Sequence, residues 1–250
     1  GLIAAGLQAL PGHRPAFVVT SHGADLYALK GSILQKLKRW VIGRAASATV
    51  VSSAMMESLR GIGADVTRVG VISMGVDVSG RFLPDTTRQR DPHEILFVGR
   101  LVEKKGVAHL LRALPEVLRE RPDVRLNIAG FGSDEQRLRS LAEGLGIASQ
   151  VRFLGALSQA ELPALYRRAA VFVAPFIRAG SGDQEGLPVA LMEAIACGCP
   201  VLAGDVPGLH DLLGDQAREV LFDPQDETGL AQRILHVLAN PGIASEQASQ

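Results

Sequence analysis

The chain has 250 residues, 47% of them apolar, with 26 Lys+Arg against 26 Asp+Glu. This length and balance fit a globular protein of one or two domains and argue against a nucleic-acid partner, which needs a basic surface. The longest apolar runs, around residues 1–10 and 169–177, are too short to cross a bilayer, and the start shows no signal-peptide pattern.

Gly1–Leu10 reads as an apolar helix, broken by Pro11-Gly12. Ala16–Thr20 is a β-branched run expected to be a buried strand. It leads into Ser21-His22-Gly23-Ala24-Asp25. A histidine at the end of a strand, followed by glycine, stands where open α/β sheets place ligands; a turn-capping histidine is the other reading of His22. Asp25 can hold this loop or an acceptor, or cap the next helix. Ser32–Arg44 reads as a helix, and Lys30, Lys36, Lys38, Arg39 and Arg44 lie in or just before it with no acid among them. Such a helix, which also carries Trp40, can rest on an anionic membrane or present a solvated face. Ala48–Ser52 is the next strand, Ser53 an N-cap, and Val69–Ser73 a third strand. The polar stretch Phe82–Pro92 reads as a linker and closes a first domain at 1–85.

A second domain, 93–239, opens with a strand at Glu94–Val98, then Gly99-Arg100 and Lys104-Lys105-Gly106 before a helix to about Arg121. Cations at a helix start oppose its dipole. A bound diphosphate would resolve that conflict at Arg100, Lys104 and Lys105. Val124–Ala129 is a strand, and the glycines of Gly130-Phe131-Gly132 let backbone approach a ligand. Phe131 either covers a base or packs into the core. Helices are expected over about Ser133–Gly146, Ser158–Arg168 and Thr228–Leu238, and strands over Gln150–Leu154, Ala170–Pro175, Pro200–Ala203 and Glu219–Phe222. Residues 240–250 form a polar tail. Alternating strands and helices imply an α/β fold with parallel sheets. The two cysteines, Cys197 and Cys199, have neither zinc nor disulfide spacing and read as core thiols of a reducing, cytoplasmic compartment.

The most informative stretch is Gly180–Ala194, a small-residue loop that feeds a helix at Pro188, a residue suited to a first turn. The helix is apolar on all sides, as a buried helix is, and Glu193 is its only charge. A buried carboxylate needs a partner. Glu185 lies just before the helix, eight positions earlier, which separates the two carboxylates by roughly 9–12 Å along the axis. Helix-start amides between them form an anion site. Carboxylates for hydroxyls on either side of amides for phosphate match a sugar–diphosphate–ribose ligand.

Glu185 and Glu193 in a Glu-x7-Glu pair, set in Gly-Asp-Gln-Glu-Gly-Leu-Pro and followed by Ala-Cys-Gly-Cys-Pro-Val, resemble the signature of retaining GT-B glycosyltransferases of family 4. The resemblance implies two Rossmann-like domains with parallel sheets, the first incomplete, an active cleft between them, and an N-terminal part of the usual protein absent. It implies a nucleotide diphosphate sugar as donor, a carbohydrate or lipid-linked acceptor, and retention of anomeric configuration in polysaccharide, glycolipid or other glycoconjugate synthesis. No cofactor is implied, and no metal. Carried onto this sequence, His22 lies beside the donor sugar. Glu185, within its Gly182-Asp183 loop, binds sugar hydroxyls. Gly186, Leu187 and Pro188 bring amides to the phosphates, Arg100 and Lys105 neutralise the diphosphate, and Glu193 binds ribose hydroxyls. Gly130 and Phe131, with the backbone of Phe153 and Leu154, line the base pocket. Met74-Gly75-Val76-Asp77 departs from the family's Asn-Gly-Val-Asp. The donor base, uridine, guanosine or adenosine, is not legible. A nucleotide-binding module without turnover is the alternative; an NAD-type oxidoreductase is weaker, because no Gly-x-Gly-x-x-Gly follows the first strand.

Family members that act on lipids often carry a basic surface, so peripheral contact of residues 30–44 with the inner face of a membrane stands as a hypothesis beside the solvated-face reading. The chain should then sediment with anionic and not with neutral liposomes; equal sedimentation with both, or with neither, refutes the contact.

Overall fold

A computed structural model describes residues 1–8, 10, 15–28, 31–85, 87 and 89–240. The Pro11-Gly12 break, Lys30 and tail residues 241–250 lie outside the described residues. In chain order the elements are α1 (Leu2–Leu7), β1 (Val18–Ser21), α2 (Ala24–Tyr27), α3 (Ser32–Arg44), β2 (Ser47–Val50), α4 (Ser53–Gly61), β3 (Val69–Val71) and β4 (Asp91–Val98). There follow α5 (Val107–Glu120), β5 (Arg125–Ala129), α6 (Glu135–Gly144), β6 (Val151–Gly155), α7 (Leu162–Arg168), β7 (Ala169–Ala174) and α8 (Val189–Ala196). The last are β8 (Val201–Gly204), α9 (Leu209–Leu213), α10 (Ala217–Val220), β9 (Leu221–Phe222) and α11 (Glu227–Ala239). By packing, the chain divides into two compact units, the first made of Gly1–Met74, Arg178–Leu187 and Val206–Gly214 and the second of the rest.

The first unit is built on a three-stranded parallel sheet, β1-β2-β3. β2 is central and buries Ala48 and Val50. The run expected as a buried strand at Ala16–Thr20 instead forms the edge strand β1, and Val18 is 65% exposed. An edge strand has a neighbour on one side only, so its β-branched composition does not bury it. α3 has the bounds its sequence predicts, but its basic face is not uniformly solvated. The Lys38 ammonium donates to the Leu26 carbonyl at 2.5 Å, and burial lowers its pKa. Arg44 lies over the Trp40 ring at 5.1 Å. Ser52, not Ser53, caps α4 by accepting from the Met55 N–H at 3.4 Å. The Ser53 N–H is taken by the Asp211 carboxylate, 2.5 Å away on α9.

The second unit carries a six-stranded parallel sheet, β6-β5-β4-β7-β8-β9. One core cluster includes Ile95 and Phe97 of β4, Leu110 and Leu114 of α5, Leu126 of β5, Val171 of β7 and Ile234 of α11. The Phe82–Pro92 stretch, expected as a linker, is tied into this unit. Phe82 is buried against the Tyr166 ring, and the Arg90 guanidinium donates to five carbonyls, among them Tyr166 at 2.9 Å and Gly198 at 2.5 Å. Those bonds hold the start of β4, the end of α7 and the end of α8 together. Glu94, 2% exposed, accepts from two guanidinium nitrogens of Arg168, Nε at 2.7 Å and Nη2 at 3.0 Å.

Several boundaries differ from the sequence reading. The helix expected after Lys104-Lys105-Gly106 does begin there, at Val107, behind a 3-10 turn over Glu103–Lys105 that ends in left-handed Gly106. α7 begins at Leu162 and not Ser158, whose N–H and hydroxyl are both held by the Glu161 carboxylate at 2.8 and 2.7 Å. The strand expected over Glu219–Phe222 keeps only two residues, since α10 occupies the preceding turn.

At the C-terminal ends of β4 and β5 the chain packs backbone on backbone. The Gly130 N–H donates to the Gly155 carbonyl at 2.7 Å, and the Leu101 N–H to the Phe131 carbonyl at 2.9 Å. A Cβ on Gly130 would stand 1.9 Å from the Gly99 carbonyl oxygen, and φ there is 138°. Gly130→Ala is therefore expected to lose about 2–4 kcal/mol of stability, read as a fall in the midpoint of urea unfolding with an unchanged slope.

Candidate functional site

The candidate residues divide between the two units, and each group is built by its own unit. In the first, β1 delivers His22 at its C-terminal end, with the ring exposed. The Asp25 carboxylate holds this turn, accepting from the His22 and Gly23 N–H groups at 3.3 and 3.2 Å. The loop bearing Gly182, Asp183, Glu185, Gly186 and Leu187 belongs to the same unit. It closes on itself: the Ala179 N–H donates to the Asp183 carbonyl at 2.8 Å and the Gly182 N–H to the Ala179 carbonyl at 2.7 Å. Gln184 and Glu185 are buried, at 8% and 9% exposure. A Cβ on Gly186 would lie 2.7 Å from the His22 carbonyl oxygen and 2.9 Å from the Met55 sulfur. The His22 turn and the Glu185 loop thus touch through backbone at a glycine, bringing together two residues that are 163 positions apart in sequence (185 − 22).

In the second unit, Arg100 is exposed while Lys104 and Lys105 are 6% and 8% exposed. The Lys105 ammonium lies 4.9 Å from the Phe176 ring centroid, a cation–π contact, and the Lys104 carbonyl accepts from the Ile177 N–H at 3.0 Å. Both lysines precede α5 and are held against the end of β7. Gly130 is half-buried in its turn. Phe131 is 62% exposed, so it does not pack into the core. Phe153 and Leu154 lie near the end of β6, half-buried, and the Arg139 guanidinium stacks on the Phe153 ring at 4.2 Å.

Pro188 is the N-cap of α8, one position earlier than the first helical turn. Leu191, Met192, Glu193 and Ala194 are buried in this helix. Glu193, 3% exposed, accepts from the Tyr166 hydroxyl at 2.9 Å and is also hydrogen-bonded by the Gln159 side chain. Burial raises the Glu193 pKa, while Tyr166, Gln159 and the charge of Arg81 pull it down. The sequence requires a partner for this carboxylate but does not reveal which: Tyr166 is 27 positions away (193 − 166) on another helix, and no local spacing marks it.

A concavity between the starts of α5 and α6 is lined by His109, Arg112, Asp134 and Arg137 and holds none of the candidate residues. Its polar groups are paired: Arg137 with Asp134 at 2.8 Å, and both Arg112 and the His109 ring with Glu227 at 3.3 Å. Among the described residues no group of three His, Cys, Asp or Glu is placed to hold a metal, and no helix is long and apolar enough to cross a membrane. Cys197 and Cys199 are buried free thiols.

Residues 81–250 match the family of glycosyl transferases group 1, and residues 1–79 match glycosyltransferase family 4. The chain belongs to the glycosyl transferases group 1 family, and its two-sheet α/β architecture is of the GT-B type. It is 36% identical over 181 residues to the GDP-mannose-dependent alpha-(1-6)-phosphatidylinositol monomannoside mannosyltransferase of Mycolicibacterium smegmatis, covering 68% of this chain and 47% of that protein. It is 34% identical over 240 residues to the phosphatidyl-myo-inositol mannosyltransferase of the same organism, covering 93% and 58%. The chain thus spans about half the length of the curated relatives it matches. Among solved structures, sucrose-phosphate synthase from Thermosynechococcus elongatus superposes with a TM-score of 0.81 at 23% identity, covering 98% of this chain and 64% of that one. Anabaena Alr3699/HepE in complex with UDP-glucose gives a TM-score of 0.79 at 19% identity, covering 94% and 67%.

The raised Glu193 pKa has a consequence for stability. A carboxyl whose pKa is higher in the folded than in the unfolded state favours folding at low pH, and that contribution is lost as pH rises through the folded value. Glu193→Gln keeps an acceptor for Tyr166 and removes the charge. It should raise the melting temperature at pH 7 by roughly 2–4 °C, and the difference from the parent should shrink toward pH 4.

Proposed function

We propose that this chain carries the donor site of a glycosyltransferase that moves a sugar from a nucleotide diphosphate sugar to a carbohydrate or lipid-linked acceptor, with retention at the anomeric carbon. The observation that carries this reading is the Glu185–Glu193 pair. Both carboxylates are buried, one in a self-closed glycine loop and one on the apolar helix that the loop feeds, in a chain of this family. Support for the donor class comes from the relative named for its dependence on GDP-mannose and from the neighbour solved with UDP-glucose.

In this reading Glu185 accepts from sugar hydroxyls, and the amides of Gly186 and Leu187 donate to the diphosphate as Pro188 opens α8. Arg100 and Lys105 offset the charge that grows on the leaving diphosphate, the largest electrostatic demand of the reaction. Glu193 accepts from the ribose hydroxyls. His22 stands by the sugar. The acceptor hydroxyl attacks the anomeric carbon from the face the diphosphate leaves, and the departing phosphate oxygen takes the hydroxyl proton. These residues supply the positive charge themselves, so the reading needs no metal. A second reading is nucleotide binding without turnover.

A thermal-shift panel with UDP, GDP, ADP and NADH tests the donor site. At about 100 times its dissociation constant a ligand stabilises by roughly 2.7 kcal/mol, so one diphosphate should raise the melting temperature by roughly 5–10 °C and NADH should not. No shift with any diphosphate overturns the reading. With the diphosphate known, Glu185→Ala should cut sugar transfer from the matching donor by about 100-fold or more with little change in melting temperature. Transfer near the parent rate would sink the role given to Glu185, and binding without transfer by the parent would favour the second reading.

A further inference from the structure

Glu193 is enclosed by a cage that the roles above leave unused. The Tyr166 ring is fully buried, packed edge-on between Phe82 at 6.3 Å and Phe172 at 5.6 Å, and its hydroxyl donates to Glu193 at 2.9 Å. Phe82 is itself pinned, because the Arg167 guanidinium donates to the carbonyls on either side of it, Leu83 at 2.7 Å and Arg81 at 3.1 Å. Gln159, exposed in the segment before α7, supplies the other hydrogen bond. The charged and titratable groups around this cage are Arg81, Arg90, Arg167, Cys197, Cys199 and, beyond Cys199, Glu94, which is paired with Arg168. Burial pushes the Cys197 thiol up to about 11 and the Cys199 thiol to about 12, so neither adds negative charge near neutral pH. Burial and the Glu193 charge raise Tyr166 as well, so its hydroxyl stays a donor.

A carboxylate needs two things to accept a pair of vicinal hydroxyls: one orientation, and a charge. A hydrogen bond from a donor that is locked by packing supplies both, because it fixes the carboxylate plane and favours the ionised form. We propose that Tyr166, braced by Phe82, and Gln159 are positioning residues that aim the Glu193 carboxylate and keep it charged for the hydroxyls of a nucleoside ribose. This rests on the ribose-binding role given to Glu193 above. A tyrosine that only fills space would leave the charge of Glu193 unaffected, and that difference is measurable.

The test is the affinity for UDP, GDP and ADP, measured by calorimetry from pH 5 to pH 8 on the parent, Glu193→Gln, Tyr166→Phe and Gln159→Ala, with melting temperatures alongside. For the diphosphate that binds, Glu193→Gln should weaken affinity and flatten its pH dependence. Tyr166→Phe, which keeps the ring, should weaken it about tenfold at pH 7 and move the pH of half-maximal affinity up by about one unit. Gln159→Ala should shift it in the same direction. If Glu193→Gln weakens binding while both other variants keep the parent's affinity and pH profile, the positioning role is overturned and the site reading stands. If Tyr166→Phe does not fold, the Gln159→Ala profile decides. If Glu193→Gln binds like the parent, Glu193 does not hold the ribose, and both the role and its positioning fall.

Discussion

Backbone packed on backbone, closer than any side chain permits, is the constraint on which both groups of candidate residues depend. In the second unit Gly130 lies against the Gly99 carbonyl, so the turns after β4 and β5 share one rim. In the first unit Gly186 does the same for the His22 turn and the Glu185 loop. Parallel strands deliver their C-terminal ends to one edge of a sheet, and ligand groups gather there. The loops that follow must then crowd together, and glycine is the residue that allows it. Arg100 follows the first of these turns, and His22 and Glu185 lie on the two segments that meet at Gly186.

The second constraint is electrostatic. An apolar helix such as α8 excludes water from Glu193, and a buried carboxylate without donors is costly. The fold meets this with a tyrosine from α7, a glutamine from the segment before it, and the positive field of Arg81. Both constraints oppose maximal stability. Close backbone approaches tolerate no added atom, and a carboxyl whose pKa is raised by burial weakens the fold as pH rises through its folded value. A site that binds hydroxyls and phosphates by preorganised groups accepts such local cost in return for fixed geometry.

Much of the fold was legible because hydrophobic period reports burial directly. The bounds of α3 and the strand–helix alternation follow from it, and so do the buried face of α8 and the demand for a partner at Glu193. The start of α7 differs from the sequence reading where a side chain competes for backbone, as Glu161 does at Ser158. β1 was misread because β-branched composition does not tell a central strand from an edge strand. Phe82 reads as part of a polar linker, and the tertiary structure buries it against the Tyr166 ring.

By itself the sequence determined the α/β class, the resemblance to its family, and the chemistry on offer: two carboxylates, a loop of small residues between strand and helix, and cations beside a glycine turn. These are properties of residue type and spacing along one segment. Only the tertiary structure decided that Tyr166 and Gln159 hold Glu193, that Lys105 lies on Phe176, and that the His22 turn meets the loop of Glu185. Those pairings join residues far apart in the chain. Which distant groups meet is set by strand order and by how the loops pack, and neither leaves a local pattern in the sequence.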